Sequence, residues 1–227
     1  MKQLEEDLRE RLLAMGASLV GFADLTALGW DGMNRGVSVA VALPKEVVRS
    51  IQHGPTRSYF ESYHRLNAQL DRLVTAGADF LRQKGFRAFA QTTDVVTETE
   101  DYRTRLPHKT VATRAGLGWI GKSALLVTPE YGPAVRLSSL LTDAPLDCAE
   151  PVVHSQCGNC TACADACPGK AITGELWEPR KDRETFFHAL KCRSAARKLA
   201  AETIYEEITL CGQCIFVCPY ARRYYLE

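Results

Sequence analysis

The sequence predicts an α+β domain over residues 1–150, followed by a small cysteine-rich domain over residues 151–227, and three observations lead there. Helical and strand-like stretches are mixed through the first part of the chain, in the order helix, strand, strand, long helix and three further strands. Eight of the nine cysteines fall between Cys157 and Pro219, little more than a quarter of the chain. The length of 227 residues is enough for one full-sized domain and an appendage, and the cysteines say where the appendage lies.

The elements follow in order. Leu4, Leu8, Leu12 and Met15 recur every three or four residues among charges, which predicts an amphipathic helix over the first 15 residues, ended near Gly16. Ser18 to Phe22 reads as a short strand. Val37 to Leu43, bounded by Gly36 and Pro44 and rich in β-branched residues, reads as a buried one. Over residues 58–84, Tyr59, Tyr63, Leu66, Leu70, Leu73, Phe80 and Leu81 share one helical face and predict a long central helix. Gly77 lies on the same face, where it lets a neighbour pack closely, and Gly85 ends the helix before a strand at Phe86 to Ala90. Thr92 to Arg105 is polar without a period and reads as a loop, where sites tend to lie. Ser123 to Val127 and Val135 to Leu141 predict two more strands around a turn at Pro129 to Pro133.

The chemistry is concentrated in the cysteines. Cys157-Gly-Asn-Cys160-Thr-Ala-Cys163-Ala-Asp-Ala-Cys167-Pro168 is the C-x2-C-x2-C-x3-C-P run of bacterial two-cluster ferredoxins, in which three thiolates wrap one cubane and the fourth reaches a second. A second run, Cys211-Gly-Gln-Cys214-Ile-Phe-Val-Cys218-Pro219, matches its last three cysteines, and Ile208 stands where the first would be. Cys192, upstream in a helix-like segment, completes a set of eight. The crossover rule assigns Cys157, Cys160, Cys163 and Cys218 to one [4Fe-4S] cluster, and Cys167, Cys192, Cys211 and Cys214 to the other. A zinc ribbon would leave Cys163, Cys167 and both Cys-Pro pairs unexplained, and C-x2-C spacing suits metal better than disulfides. Cys148 is left over as a small half-buried thiol.

Composition excludes other classes. Twenty-eight basic against 27 acidic residues leave a net charge of +1, so no global field draws the protein to nucleic acid or membrane. No apolar run approaches the roughly 20 residues that span a bilayer, and the first residues do not form a signal peptide, which together predict a cytoplasmic protein. Lys191, Arg193, Arg197 and Lys198 are the one local charge excess and read as a solvated helix face. Gly116-Leu-Gly-Trp-Ile-Gly-Lys122-Ser123 satisfies both the dinucleotide fingerprint and the phosphate-loop pattern. Each needs a buried strand before it and a helix after it, and neither flank fits. The three glycines point instead to close backbone approach to something flat or bulky.

On these residues the chain resembles the epoxyqueuosine reductase family, iron–sulfur enzymes related to cobalamin-dependent reductive dehalogenases. The resemblance runs from about Met1 to Pro219 and rests on Tyr63-His64, Ala115 to Lys122, Leu141-Thr-Asp143 and the cysteine pattern with its displaced Cys192. It implies a nitroreductase-like α/β first domain that binds base-off cobalamin, and a ferredoxin-like second domain whose two [4Fe-4S] clusters feed it electrons. It would give Gly116, Gly118 and Gly121 a flat corrin to approach, and it places His64, Lys122 and Ser194 at family positions for the cofactor. The implied activity is reductive chemistry on a small or unknown substrate, with electrons from a donor such as a flavodoxin or ferredoxin and a proton from a side chain.

The family's aspartate proton donor falls on Tyr102, with Asp101 beside it, and a family glutamate falls on His108. A phenol, with its pKa near 10, donates only to a basic or locally stabilised anion, and an imidazole titrates near neutrality. The family enzymes continue beyond the second Cys-Pro with a region that helps hold tRNA, whereas this sequence stops eight residues after Pro219, which makes tRNA a doubtful substrate. Two alternatives follow: a ferredoxin-type electron carrier that reduces a partner protein's cofactor, and a tRNA enzyme that works with a separate RNA-binding subunit.

Overall fold

The computed structural model describes residues 2–227; Met1, where the resemblance begins, lies outside them. In chain order the elements are α1 (Lys2–Ala14), β1 (Leu19–Asp24), β2 (Arg35–Ala42), α2 (Lys45–Ser50), α3 (Arg57–Gln83), β3 (Ala88–Ala90), α4 (His108–Arg114), β4 (Trp119–Ile120), β5 (Leu126–Val127), β6 (Val135–Thr142), α5 (Ala162–Asp165), α6 (Arg183–Phe186), α7 (Ala189–Ile204), α8 (Gln213–Phe216) and α9 (Pro219–Leu226). The mixture of helix and sheet is as the sequence predicts. Expectation and structure differ at α2, α4 and β4, which are short segments whose form is set by packing rather than by a local period.

The chain divides into two compact units that do not follow a single cut near residue 150. One comprises residues 1–42, 65–117 and 136–152; the other comprises 43–64, 118–135 and 153–227.

The first unit is built on a sheet of order β1-β2-β6-β3. β1 and β2 pair antiparallel with Leu19 opposite Ala40, and β3 and β6 pair antiparallel with Ala88 opposite Thr142. Adjacent strand residues face opposite sides, so Leu140 and Leu141 mark the two faces of β6. Leu140 packs on α3, where a Cβ on Gly77 would stand 2.7 Å from its Cδ2 and close to Leu8 and Leu12 of α1. Leu141 joins Ala23, Leu25, Val111 and Ala115 in a cluster that seats α4. The sheet is therefore covered on both sides, which explains why β1 and β2 bury consecutive residues rather than alternate ones.

In the second unit, the cysteine-bearing segments pack with residues far away in sequence. Gly212 lies against Ile51 and Tyr59, Gly54 against Leu199, and Gly132 against the backbone of Tyr220 and Ala221. β4 and β5 form a small antiparallel hairpin with Trp119 opposite Val127. Trp119 is fully buried and meets Tyr220 edge-on, with ring centroids 4.9 Å apart. A domain of about 75 residues closes few apolar side chains by itself. Val47, Val48, Ile51 and Tyr59, with Trp119, Ile120, Leu126 and Val127, supply the missing buried surface from outside the cysteine-rich stretch.

Gly77→Val should destabilise the protein by about 1–3 kcal/mol, because its branch meets a fully buried Leu140. Thermal unfolding checks this; an unchanged midpoint would mean that α3 does not approach β6 this closely.

Candidate functional site

Two short helices present the thiols. α5 carries Cys163, with Cys157 and Cys160 in the preceding turn and Cys167 just beyond its end. α8 carries Cys214, follows Cys211 and Gly212, and leads to Cys218, which caps α9 with Pro219 in its first turn. Pro219 at the first position of α9 loses no hydrogen bond, so Cys218-Pro219 ends one turn without straining the next helix. Gly212 has φ +89° and a Cβ there would lie 2.7 Å from Ile51, so the turn before Cys214 requires glycine.

The thiols fall into two sets. Burial pushes the Cys163 thiol up to about 11, and the charges of Cys157, Cys218 and Cys160 push it the same way. Burial also raises Cys218, which feels Cys157 and Cys160. Burial takes Cys192 up to about 11, with Cys167 and Cys211 adding to it. Cys214 is raised furthest, by burial and then by Cys211, Cys192, Cys163 and Cys167. These groupings coincide with the two sets of the crossover rule. Cys192 reaches its set from the first turn of α7, which packs on Gly169, where a Cβ would stand 2.7 Å from the Lys191 carbonyl.

A cavity of about 50 Å³ opens among Cys157, Cys160, Cys163, Cys214 and Cys218, with Gly121, Lys122 and Tyr220 in its wall. That is several times the about 10–15 Å³ that one water needs. Bare thiolates crowded in such a place repel one another and lack solvent, whereas bonds to iron would hold them deprotonated. Among the described residues no three such groups close on one point as a single bound ion requires; a cubane instead gives each thiolate its own iron. Two further features suit an iron–sulfur core. A Cβ on Gly121 would come 3.6 Å from the Cys157 sulfur, and Ser155, two residues before Cys157, buries its hydroxyl without a hydrogen-bond partner.

The remaining sequence candidates are placed as follows. Lys122 is buried and its Nζ donates to the Cys160 carbonyl at 2.9 Å. Gly118, at φ +155°, faces the Val127 carbonyl so closely that no side chain fits, and Gly116, at φ +70°, packs on Ala149. The close approach read from these glycines is met by the chain itself. The run starts after helix α4 and passes into the β4–β5 hairpin, so neither flank makes a phosphate loop. His64 is exposed, with its ring edge-on to Phe60 at 4.6 Å and to Tyr63 at 5.3 Å. Ser194 is exposed on α7. Cys148 is half-buried, with its thiol donating to the Leu146 carbonyl at 3.5 Å and its pKa raised by burial.

Asp101 and Tyr102 lie in a surface turn, Tyr102 at φ +57° with its amide donating to the Thr99 carbonyl at 2.9 Å. The Thr99 hydroxyl and Arg103 beside Asp101 hold its carboxyl below the usual range. His108 departs from the expectation of titration near neutrality: burial first, and then Arg136, push it down to about 4, so the ring is neutral at pH 7. The Ser139 hydroxyl donates to Gln91 Oε1 at 2.6 Å, so its oxygen accepts from His108 Nδ1–H at 2.9 Å. This fixes the tautomer with Nε2 as an acceptor. Arg136 is held by Asn67 Oδ1 at 2.8 and 3.0 Å. Sequence reasoning missed Gln91, Arg136 and Ser139; the available signal was the pair of serines flanked by Leu137, Leu140 and Leu141 in β6, which the structure buries.

The comparisons with known proteins bear on this geometry. Residues 156–221 match the 4Fe-4S double cluster binding domain family. An epoxyqueuosine reductase from Aliivibrio fischeri is 30% identical over 192 residues, 79% of this chain and 47% of that protein. One from Listeria monocytogenes is 34% identical over 112 residues, 49% of this chain and 29% of that protein. A solved epoxyqueuosine reductase with an epoxyqueuosine-modified tRNA stem loop superposes with a TM-score of 0.62 and 23% identity over 97% of this chain and 66% of that one. A reductive dehalogenase described for B12-dependent dehalogenation gives 0.69 and 19% over 94% and 31%. The thiol-bearing unit and the family match give the chain a 4Fe-4S double cluster binding domain, and its relatives are oxidoreductases. The chain is a short homologue of the epoxyqueuosine reductases, spanning less than half the length of the curated relatives it matches. The doubt about tRNA finds no support in these relatives, one of which was solved with a tRNA stem loop. Among the described residues no helix is long and apolar enough to cross a membrane.

His108 should show no imidazole titration between pH 5.5 and 8 in NMR of the side chain, and the stability its neutral form contributes should be present above about pH 6.5 and lost as pH falls toward 4. A midpoint near 6.5 would mean that burial and Arg136 do not hold the ring neutral.

Proposed function

We propose that this protein is an iron–sulfur reductase in which two [4Fe-4S] clusters, held by the two sets of four thiols, deliver electrons for reductive chemistry of the epoxyqueuosine reductase kind. The single observation that carries the reading is the division of eight cysteines into two largely half-buried, mutually repelling sets inside a unit that matches a double-cluster family. Reducing a closed-shell substrate takes electrons in pairs, and each cluster passes one at a time. The chain's own contribution is to gather the thiols, exclude water from them and supply a proton. Asp101, held ionised, accepts rather than donates. His108 commits its Nδ1 proton to Ser139. Tyr102 therefore stands as the candidate proton donor among the three.

Cobalamin, the acceptor implied by the resemblance, is supported by the likeness to the B12-dependent dehalogenase fold. The residues assigned to it are not gathered by what they touch here: Gly118 and Gly121 meet Val127, Lys122 meets Cys160, and His64 and Ser194 are exposed. The substrate is a small molecule or an epoxyqueuosine-bearing tRNA, the donor a flavodoxin- or ferredoxin-type protein, and the compartment the cytoplasm. A second reading, a carrier that reduces a partner's cofactor, is favoured by the exposure of the turn at Asp101 and by the neutrality of His108.

Anaerobic reconstitution should load about eight irons per chain, and single Cys→Ala changes should each remove about four. Pairing the changes tests the sets: Cys157→Ala with Cys218→Ala should lose no more iron than either alone, whereas Cys157→Ala with Cys192→Ala should lose nearly all. Equal losses from both pairs would refute the assignment. Titration with cob(II)alamin then separates the readings, since a base-off shift in its spectra supports the reductase and its absence leaves the carrier.

A further inference from the structure

Lys122 closes the glycine run and is only 5% exposed. It lines the cavity that gathers Cys157, Cys160, Cys163 and Cys218. Its Nζ donates to the Cys160 carbonyl at 2.9 Å, and among the described residues no carboxylate pairs with it. An ammonium carries three donors, and one carbonyl uses only one of them. Keeping such a cation out of water without a counter-charge is unfavourable. The rest of the cavity wall is mainly sulfur and apolar side chains, so the anions available to it are the thiolates and the group they hold.

We propose that Lys122 is the buried counter-charge of the cluster held by Cys157, Cys160, Cys163 and Cys218, and that it raises that cluster's reduction potential. This rests on the two-cluster reading. It differs from the cofactor contact that the resemblance gives Lys122, because the ammonium acts on iron–sulfur electronics from within the thiol cavity. Reduction makes a cluster one charge unit more negative. A fixed cation nearby therefore favours the reduced form, and more so where water does not screen it. The hydrogen bond to the Cys160 carbonyl holds the ammonium at the cavity wall, and the hairpin that places Lys122 cannot shift easily, since Gly118 and Gly121 are packed against Val127. Lys122 is in this sense a positioning and tuning residue rather than a ligand.

The test is an EPR-monitored redox titration of the reconstituted full chain and of Lys122→Met, Lys122→Gln and Lys122→Arg. In the two neutral variants one cluster should become harder to reduce by at least tenfold in its one-electron equilibrium, about 59 mV, while the other cluster stays in place. Lys122→Arg should stay near the wild type. Repeating the titration in a Cys192→Ala background, which leaves one set intact, identifies the cluster that moves. Unmoved potentials in Lys122→Gln at full iron content overturn the proposal, as does an equal shift of both clusters. If Lys122→Met loses iron, Lys122→Gln decides: wild-type behaviour there means that the side chain is only a hydrogen-bond clamp on Cys160. Loss of iron from both neutral variants, with retention in Lys122→Arg, supports the counter-charge. A wild type without two distinct clusters fails the two-cluster reading and this inference with it, whereas two clusters with unmoved potentials overturn the inference alone.

Discussion

The structure depends on one electrostatic constraint: eight thiols have to be brought together out of water, and each deprotonated thiol raises the cost of the next. The chain meets it with short, stiff pieces rather than with long elements. α5 and α8 are four residues each, too short to be stable by themselves, and they hold because Ile215 and Ala171 are buried beneath them and because Gly212 lets α8 sit on Ile51 and Tyr59. Where a thiol can be stabilised without iron, it is: the Ala171 amide donates to the Cys167 sulfur at 3.3 Å. These local devices hold the ligand positions, but they do not remove the mutual repulsion, which is why the arrangement is best understood as one completed by an iron–sulfur core.

The same constraint explains the composition of the second unit. A cysteine-rich segment spends its buried positions on sulfur and is left short of apolar side chains. Residues 43–64 and 118–135 make up the shortfall, and they bring the glycine run with them. The two best-fitted motifs in the sequence, the cysteine run and the glycine–lysine run, are thus parts of one site, with Gly121 against the Cys157 sulfur and Lys122 against the Cys160 backbone. A pattern that imitates a phosphate loop turns out to be a hairpin packed tightly enough to carry a buried cation to a thiol cavity.

What could be read from the sequence follows from this division of labour. Helices α1 and α3 were legible because each buries a face whose period survives in the sequence, Leu8 and Leu12, then Leu66, Leu70, Leu73 and Leu81, and strands β1, β2 and β6 because each is a short run rich in apolar residues between helices or turns. The cysteine-rich domain was legible because ligand spacing is itself a geometric rule, and residues 156–221 match a 4Fe-4S double cluster binding family. The unit boundary was not, since nothing local in Val47, Ile51 or Trp119 says which distant segment will cover it. The state of His108 was equally hidden. Its neutrality comes from burial and from Arg136, and its tautomer from Ser139 and Gln91, all brought to it by strand pairing. A histidine read as a near-neutral acid becomes, once the sheet is folded around it, an uncharged acceptor.

The relation between the two thiol sets carries the argument one step further. Cys163 belongs to one set and Cys214 to the other, yet Cys214 also lines the first cavity and feels the charge of Cys163. The helices that bear them, α5 and α8, pack on each other. Between them these two thiols link the sets, and both are only partly open to solvent. A charge added to one set is therefore felt by the other. The two sites are then coupled: adding an electron to the first makes reduction of the second less favourable. On the two-cluster proposal, a fixed cation on one side of that pair, the role proposed for Lys122, would make the two sites unequal, and inequality is what gives electron flow between neighbouring clusters a direction.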